Sequence, residues 1–405
     1  MRPHSPVLSQ AFSNIGHSFS HVLTLLYPTV VLSLEASWGL SYGDLIILML
    51  GGQVLFGLAA LPAGWLGDRW SGLGMMVVFF LGTGGAAIVT GLARTPLEIG
   101  LGLALIGLFA SIYHPVGLAW LVRSAVNRGR ALGFNGVFGA LGVAAGPAIA
   151  GFLTDFVGWR AAFIVPGMAA MATGAGLALY WRLGLVGETA AAARPMPTPT
   201  RDAVMRAFVV LSSTMTCAGL INQAFPVLLP KLFADRAGAL AGGGAFGIGG
   251  LVTLVYLFAA LAQFVGGYLA DRFALKTLYV GIYAALVPLI ATASLLGDTP
   301  LVAAMIAIVF LNSGSLPTEN SLLALYTPGK WRATAYGAKF VLSLGVSALS
   351  VPLIATVYDA TGGFFWIFVV LAGLAIIAAV AAAMLPADET RRHAMAPQPV
   401  PNPAE

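Results

Sequence analysis

The stretch Gly64-Trp65-Leu66-Gly67-Asp68-Arg69 closes an apolar run with an acid–base pair, and it returns later in the chain as Gly267-Tyr268-Leu269-Ala270-Asp271-Arg272. At an offset of about 202 residues Pro115 also pairs with Pro317, Arg130 with Arg332 and His21 with Gln223, so the two halves echo each other. The segment before each copy is apolar for the roughly 20 residues that a membrane span requires. A unit of six spans written twice is the pattern of alternating access, in which two bundles rock about a shared site at the bilayer midplane.

Composition agrees. Of 405 residues, 59% are hydrophobic and only 9% charged, and the mean hydropathy is +0.91. A water-soluble domain needs far more polar surface than this, so lipid is the expected solvent. Cutting at charge clusters and Gly/Pro-rich turns predicts spans at 12–35, 45–66, 73–93, 97–121, 132–154, 160–182, 207–230, 246–269, 277–296, 301–326, 334–357 and 363–385. The expected fold class is an all-α membrane protein with twelve transmembrane helices in two pseudo-symmetric six-helix bundles. The expected units are a first bundle (1–183), a polar, proline-rich cytoplasmic linker (184–206), a second bundle (207–386) and a disordered cytoplasmic tail (387–405).

The net charge of +5 lies in the loops. With the N-terminus in the cytoplasm, fifteen of the twenty Lys and Arg fall on the cytoplasmic side. Arg94, Arg160, Lys231 and Arg236 face outward, and Lys339 lies inside a span. The positive-inside rule then places both termini in the cytoplasm of a bacterial-type inner membrane. The first residues lack a short apolar core with a small-residue cleavage site, so no removable signal peptide is expected. Cys217 is the single cysteine; it lies in an apolar run and reads as a small packing residue.

The repeated G-x-L-x-D-R loop and the central linker resemble the major facilitator superfamily over essentially the whole chain. Gly142-Val-Ala-Ala-Gly146-Pro147-Ala-Ile-Ala150-Gly151 is similar to the Gly-Pro motif of that superfamily's proton-coupled exporters, departing at Ala150 where glycine is usual. Tyr113-His114-Pro115 resembles the fosmidomycin-resistance-like branch. The resemblance implies that Asp68, Arg69, Asp271 and Arg272 form a conformational latch at the cytoplasmic edge. It also implies that Gly142, Gly146, Pro147 and Gly151 pack closely to seal the outward end. The loop after Arg69 lacks the usual further basic residues, and the fourth span has no arginine in its membrane part.

Ionisable side chains are costly in a bilayer and are functional candidates there. His17 and His21 on the first span, His114 on the fourth, Glu319 on the tenth and Lys339 on the eleventh lie, at ~1.5 Å per residue, roughly 8–15 Å from the cytoplasmic ends. They form one layer on helices that border the central cavity in the resembled fold. Glu319 and Lys339 are expected to form an ion pair that opens when a proton or substrate arrives; a static pair fixing helix packing is the other reading. His17 and His21, four residues apart on one helical face, suit a proton relay or polar pocket. Asn14, Gln53, Tyr113, Asn135, Asn222, Gln223, Asn312 and Asn320 are candidate polar neighbours.

No metal site is assigned, since the three imidazoles are scattered and no carboxylate lies near them in sequence. There is no phosphate-cradling loop, no H-E-x-x-H motif and no basic patch interleaved with aromatics. An enzyme, an ATP-driven pump and a nucleic-acid binder are therefore not expected, and no cofactor is. The sequence reads as a monomeric secondary transporter of a small organic solute, with protons and the lipid bilayer as its other partners and export its direction. The alternatives are an uptake symporter or uniporter for a small organic anion, and a receptor of the same fold that does not transport.

Overall fold

The computed structural model describes residues 5–125, 128–187, 201–327 and 338–385, and among these the chain is helical without a strand. Eleven helices are long and apolar enough to cross a bilayer, and a bent pair supplies a twelfth. In chain order they are α1 (Pro6–Trp38), α2 (Tyr42–Leu58 continuing as Ala60–Arg69), α3 (Gly72–Gly91), α4 (Pro96–Ser124), α5 (Arg128–Phe156) and α6 (Ala161–Arg182). The remainder are α7 (Arg201–Arg236), α8 (Ala245–Arg272), α9 (Leu275–Ala293), α10 (Asp298–Tyr326), α11 (Ala338–Thr361) and α12 (Phe365–Ala383).

Each predicted span coincides with one of these helices, but α1, α5 and α7 run past the predicted ends. Hydropathy measures the thickness of the hydrocarbon layer, whereas a helix continues as long as its backbone hydrogen bonds do. At 36 residues α7 is about 54 Å long, against a core of ~30 Å. Residues 201–206, read as linker, are its first turns. At the other end of the predicted linker, Val186 is fully buried, and the carbonyls of Leu185 and Gly187 accept bonds from Ser5 N and Trp120 Nε1. Residues 188–200 and 386–405, which include the predicted tail 387–405, lie outside the described residues.

Two of the irregularities lie at prolines. The ring of Pro62 has no N–H for the carbonyl of Leu58, and α2 bends there by 41°. Pro115 leaves the Ser111 carbonyl without its usual donor, and α4 widens into a π-turn over Tyr113–Gly117. A second π-turn, Val341–Gly345, follows Phe340 in α11. Both irregular segments adjoin side chains singled out from the sequence, His114 and Lys339.

Helices in lipid associate through close packing, because burial of apolar surface drives little there. The Gly-Pro segment of α5 is held between α1 and α8. A methyl at Gly142 would lie 2.5 Å from the Ser18 carbonyl oxygen, and one at Gly151 would overlap the Ala245 carbonyl. From the facing side, Gly249 of α8 packs on the carbonyl of Pro147. Close backbone approach at these positions is thus a feature of the structure.

The first six helices meet the last six chiefly at the end that carries Gly39 and Gly362. Asp359 accepts from Ser41 Oγ (2.7 Å) and Gly43 N (3.0 Å), and Lys231 pairs with Glu35 (3.0 Å). Asp155 accepts from the backbone N–H groups of Ala245 (3.3 Å) and Phe246 (2.8 Å) at the start of α8. Deeper in, Gln223 donates to Gln53 (3.1 Å), and Gly57 of α2 abuts the backbone of Gly345. Towards the end with Asp68 and Asp271 no hydrogen bond or ion pair joins the two sets among the described residues. The cross-bonds among the described residues thus gather at the end that carries Gly39 and Gly362.

Candidate functional site

The layer of ionisable residues lies near contacts between the two halves, Phe340 on His114 and Gly57 against Gly345. Glu319 of α10 and Lys339 of α11 form an ion pair at 2.7 Å, with side chains 2% and 8% exposed. The second carboxylate oxygen of Glu319 accepts from the hydroxyl of Tyr279 on α9 (2.7 Å), and Lys339 Nζ donates to Asn320 Oδ1 (2.5 Å). Tyr279 packs edge-on against Tyr283, so an aromatic wall closes the side of the pair. An isolated charge this deep would be strongly destabilising; the pair is tolerated because each member neutralises the other and each has a further polar partner.

On the other side the three histidines come together. The ring centroids of His17 and His21 are 5.2 Å apart, and His114 stands 5.5 Å from each. One nitrogen from each ring lies within 4.8 Å of the other two. His17 Nδ1 is 2.8 Å from the Asn135 carbonyl oxygen, so in the neutral ring Nδ1 carries the proton and Nε2 keeps its lone pair. The ring of His17 lies against Gly139, where any side chain would overlap it, and stacks on Tyr113 with centroids 4.9 Å apart. All three imidazoles are half-buried.

Three of the predicted polar neighbours support this cluster from behind. Asn135 Nδ2 donates to Asn14 Oδ1 (2.9 Å) and to the Tyr113 hydroxyl (2.9 Å), and Ser13 Oγ bonds the Gly117 carbonyl (3.1 Å) in the π-turn. The network holds α1, α4 and α5 in register and fixes the ring of His17. The widened turn at Tyr113–Gly117 turns Tyr113 towards α5 and His114 towards α1 and α11.

Phe340 stacks on His114 (5.4 Å, 26°), and Phe56 flanks the same ring at 5.7 Å. Because Phe340 follows Lys339, one turn of α11 touches both the histidine cluster and the ion pair. Asn222 accepts from Asn312 (3.1 Å), joining α7 to α10, while Gln223 faces α2 through Gln53. Sequence reading did not single out Tyr279, Phe340, Ser13 or Gly139, since a tyrosine, phenylalanine, serine or glycine in an apolar helix carries no signal of what it will face. An apolar cleft of about 450 Å³ between α1, α5 and α6, lined by Ile15, Phe19, Phe138 and Ile149, lies apart from these polar groups.

At the end that carries the repeated motif, Arg69 lies over the ring of Trp65 (4.8 Å) and Arg272 over Tyr268 (4.1 Å), so the repeated motif repeats its local contact. Asp68 and Asp271 make no inter-bundle bond among the described residues, and 328–337 lie outside them.

A model of the Major Facilitator Superfamily matches residues 12–255 and 211–402. The tetracenomycin C resistance and export protein of Streptomyces glaucescens is 30% identical over 271 residues, covering 64% of this chain and 43% of that protein. The chain thus spans less than half the length of this curated relative. Among solved structures, a POT family transporter in complex with 5-aminolevulinic acid aligns over 92% of this chain and 94% of its own, with a TM-score of 0.73 and 14% identity. A bacterial homologue of the human lysosomal transporter Spinster, in an inward-facing and unoccupied conformation, aligns over 97% and 98% with a TM-score of 0.68 and 12% identity. These structures share the fold, and the family match runs across both halves: the chain belongs to the Major Facilitator Superfamily of transporters.

Proposed function

We propose that this protein is a proton-coupled exporter of a small organic solute in a bacterial inner membrane, working as a monomer with both termini in the cytoplasm. The observation that carries the reading is the Glu319–Lys339 pair at 2.7 Å, buried among the spans between α10 and α11. The pair opens or rearranges when a proton or the solute arrives, and it re-forms as α10 and α11 return during alternating access.

In this reading α1–α6 and α7–α12 are the two rocking units, the second beginning with α7 at Arg201 rather than at 207, joined by the segment between Arg182 and Arg201, with 387–405 a cytoplasmic tail. His17, His21, His114, Asn222 and Gln223 line the solute path, with Asn14, Tyr113 and Asn135 holding the histidines in place from behind. Asp68, Arg69, Asp271 and Arg272 act as a latch that engages when the cytoplasmic end closes. Gly142, Gly146, Pro147 and Gly151 give the seal at the outer end. Supporting the orientation, the cross-bonded end of the structure is the one that the charge distribution assigns to the outside. Supporting export, the tetracenomycin C relative is an export protein.

The test is pH-gradient dissipation in inside-out vesicles containing the protein, screened against drugs and organic anions, with Glu319→Gln as control. Substrate-triggered proton efflux that the control lacks is expected. Equal efflux in wild type and Glu319→Gln would remove the pair from the coupling step, and solute flux without any proton movement would replace antiport by uniport.

A further inference from the structure

We propose that His17, His21 and His114 form a binding site for a borderline first-row divalent cation of the Zn²⁺, Co²⁺ or Ni²⁺ class, with a fourth position left for a donor carried by the solute. The inference rests on the reading of this layer as the solute site and adds the chemistry of what binds there.

The donor set is the first ground. Three imidazoles converge from two helices, with one nitrogen of each within 4.8 Å of the others. In a tetrahedral site with metal–nitrogen bonds of ~2.0–2.1 Å, the nitrogens stand roughly 3.3 Å apart, so side-chain rotations of about 1.5 Å or less complete the shell. His17 and His21 are one helical turn apart on α1, a spacing that lets two rings reach one ion.

The second ground is the support. A ligating imidazole characteristically donates its other N–H to a carbonyl or carboxylate, which fixes the tautomer and aims the lone pair. His17 has this bond already, from Nδ1 to the Asn135 carbonyl at 2.8 Å, and Asn135 is itself fixed by Asn14 and Tyr113. Gly139 gives the ring its room. A stack of apolar-packed aromatics would need neither the anchored tautomer nor three nitrogens turned towards one another.

Third, the charge balance says what else must come. Three neutral imidazoles leave a divalent cation uncompensated in a low-dielectric layer. The nearby acid, Glu319, spends its two oxygens on Lys339 and Tyr279. The missing negative charge and the fourth donor then arrive with the solute, which points to small anions that chelate a metal as the substrate class. Nitrogen donors without carboxylates disfavour Mg²⁺ and Ca²⁺.

The experiment is a Co²⁺ titration of the purified full-length protein after tag removal, followed by visible ligand-field absorption. One equivalent of Co²⁺ giving a tetrahedral or five-coordinate band, displaced by Zn²⁺, is expected. The band should vanish in His21→Asn and His114→Asn and survive in Glu319→Gln. It should also survive when His4 and His393, the other two histidines, are replaced. Thermal unfolding of each variant identifies any that has lost its fold, and Zn²⁺ should raise the melting temperature of wild type but not of His21→Asn. No band from folded wild type, or a band unchanged in folded His21→Asn and His114→Asn, overturns the proposal. Because the readout is binding, it stands apart from the vesicle assay: bound Co²⁺ without proton efflux would sink the coupling and leave the metal site.

Discussion

Replacing Glu319 by Gln deletes one charge from a pair whose side chains are 2% and 8% exposed. Lys339 keeps its bond to Asn320, and Tyr279 keeps an oxygen to donate to, so packing is nearly unchanged. What changes is that the ammonium is left unpaired in the membrane interior. Breaking a buried pair from one side is expected to destabilise by about 3–5 kcal/mol, whereas replacing both partners by neutral groups of similar volume is often neutral or better.

A double-mutant cycle therefore gives a sharp expectation. Glu319→Gln and Lys339→Met should each lower stability by about 3–5 kcal/mol, and the double variant should return to within roughly 1 kcal/mol of wild type, a coupling well above that of an exposed ion pair. Reversible denaturation in mixed micelles reads the stability, and solute flux in proteoliposomes reads function. All three variants should lose coupled transport, the stable double variant included. If the double variant is stable and transports with wild-type pH dependence, the pair serves packing alone; if the single losses simply add, the two charges are not coupled and the argument from their geometry fails.

Replacing Gly249 by Leu forces a side chain into the Pro147 carbonyl, and a loss of at least 1–3 kcal/mol with poor monodispersity on size-exclusion chromatography is expected, while Gly250→Leu, in open space, should behave as wild type. Asp359→Ala removes the acceptor for Ser41 and Gly43 at the cross-bonded end. In a Cys217→Ser background, a Gln53→Cys reporter should then react several-fold faster with an impermeant maleimide added from that side, and an unchanged rate would mean that the other cross-bonds suffice. Tyr113→Phe removes the hydroxyl that Asn135 bonds and is expected to cost about 0.5–1.5 kcal/mol; a larger effect on Co²⁺ affinity than on stability would place its influence on the aim of His17.

Much of the architecture was legible in the chain because lipid imposes a simple code: a span must be apolar for its whole depth, and polar residues survive only between spans or with a partner. The repeated Gly-x-Leu-x-Asp-Arg loops and the offset pairs Pro115/Pro317 and His21/Gln223 gave the two-fold organisation, and all twelve predicted spans have a helix. The expectation that Glu319 and Lys339 pair followed from the same code, since they are an acid and a base at similar depth with no other partner of opposite charge in that layer.

Helix ends and the histidine cluster were not legible in this way. Hydropathy is blind to the turns of α7 beyond the hydrocarbon, because a charged turn hydrogen-bonds its backbone as well as an apolar one. His17 and His114 stand nearly a hundred residues apart, and nothing in either segment says that they meet. Their convergence depends on the rotation of α1 against α4, which the π-turn at Tyr113–Gly117 and the Asn14–Tyr113–Asn135 network set. Periodicity tells which residues share a face of one helix; only packing between helices decides which faces meet, and the chemistry of this site is made at those meetings.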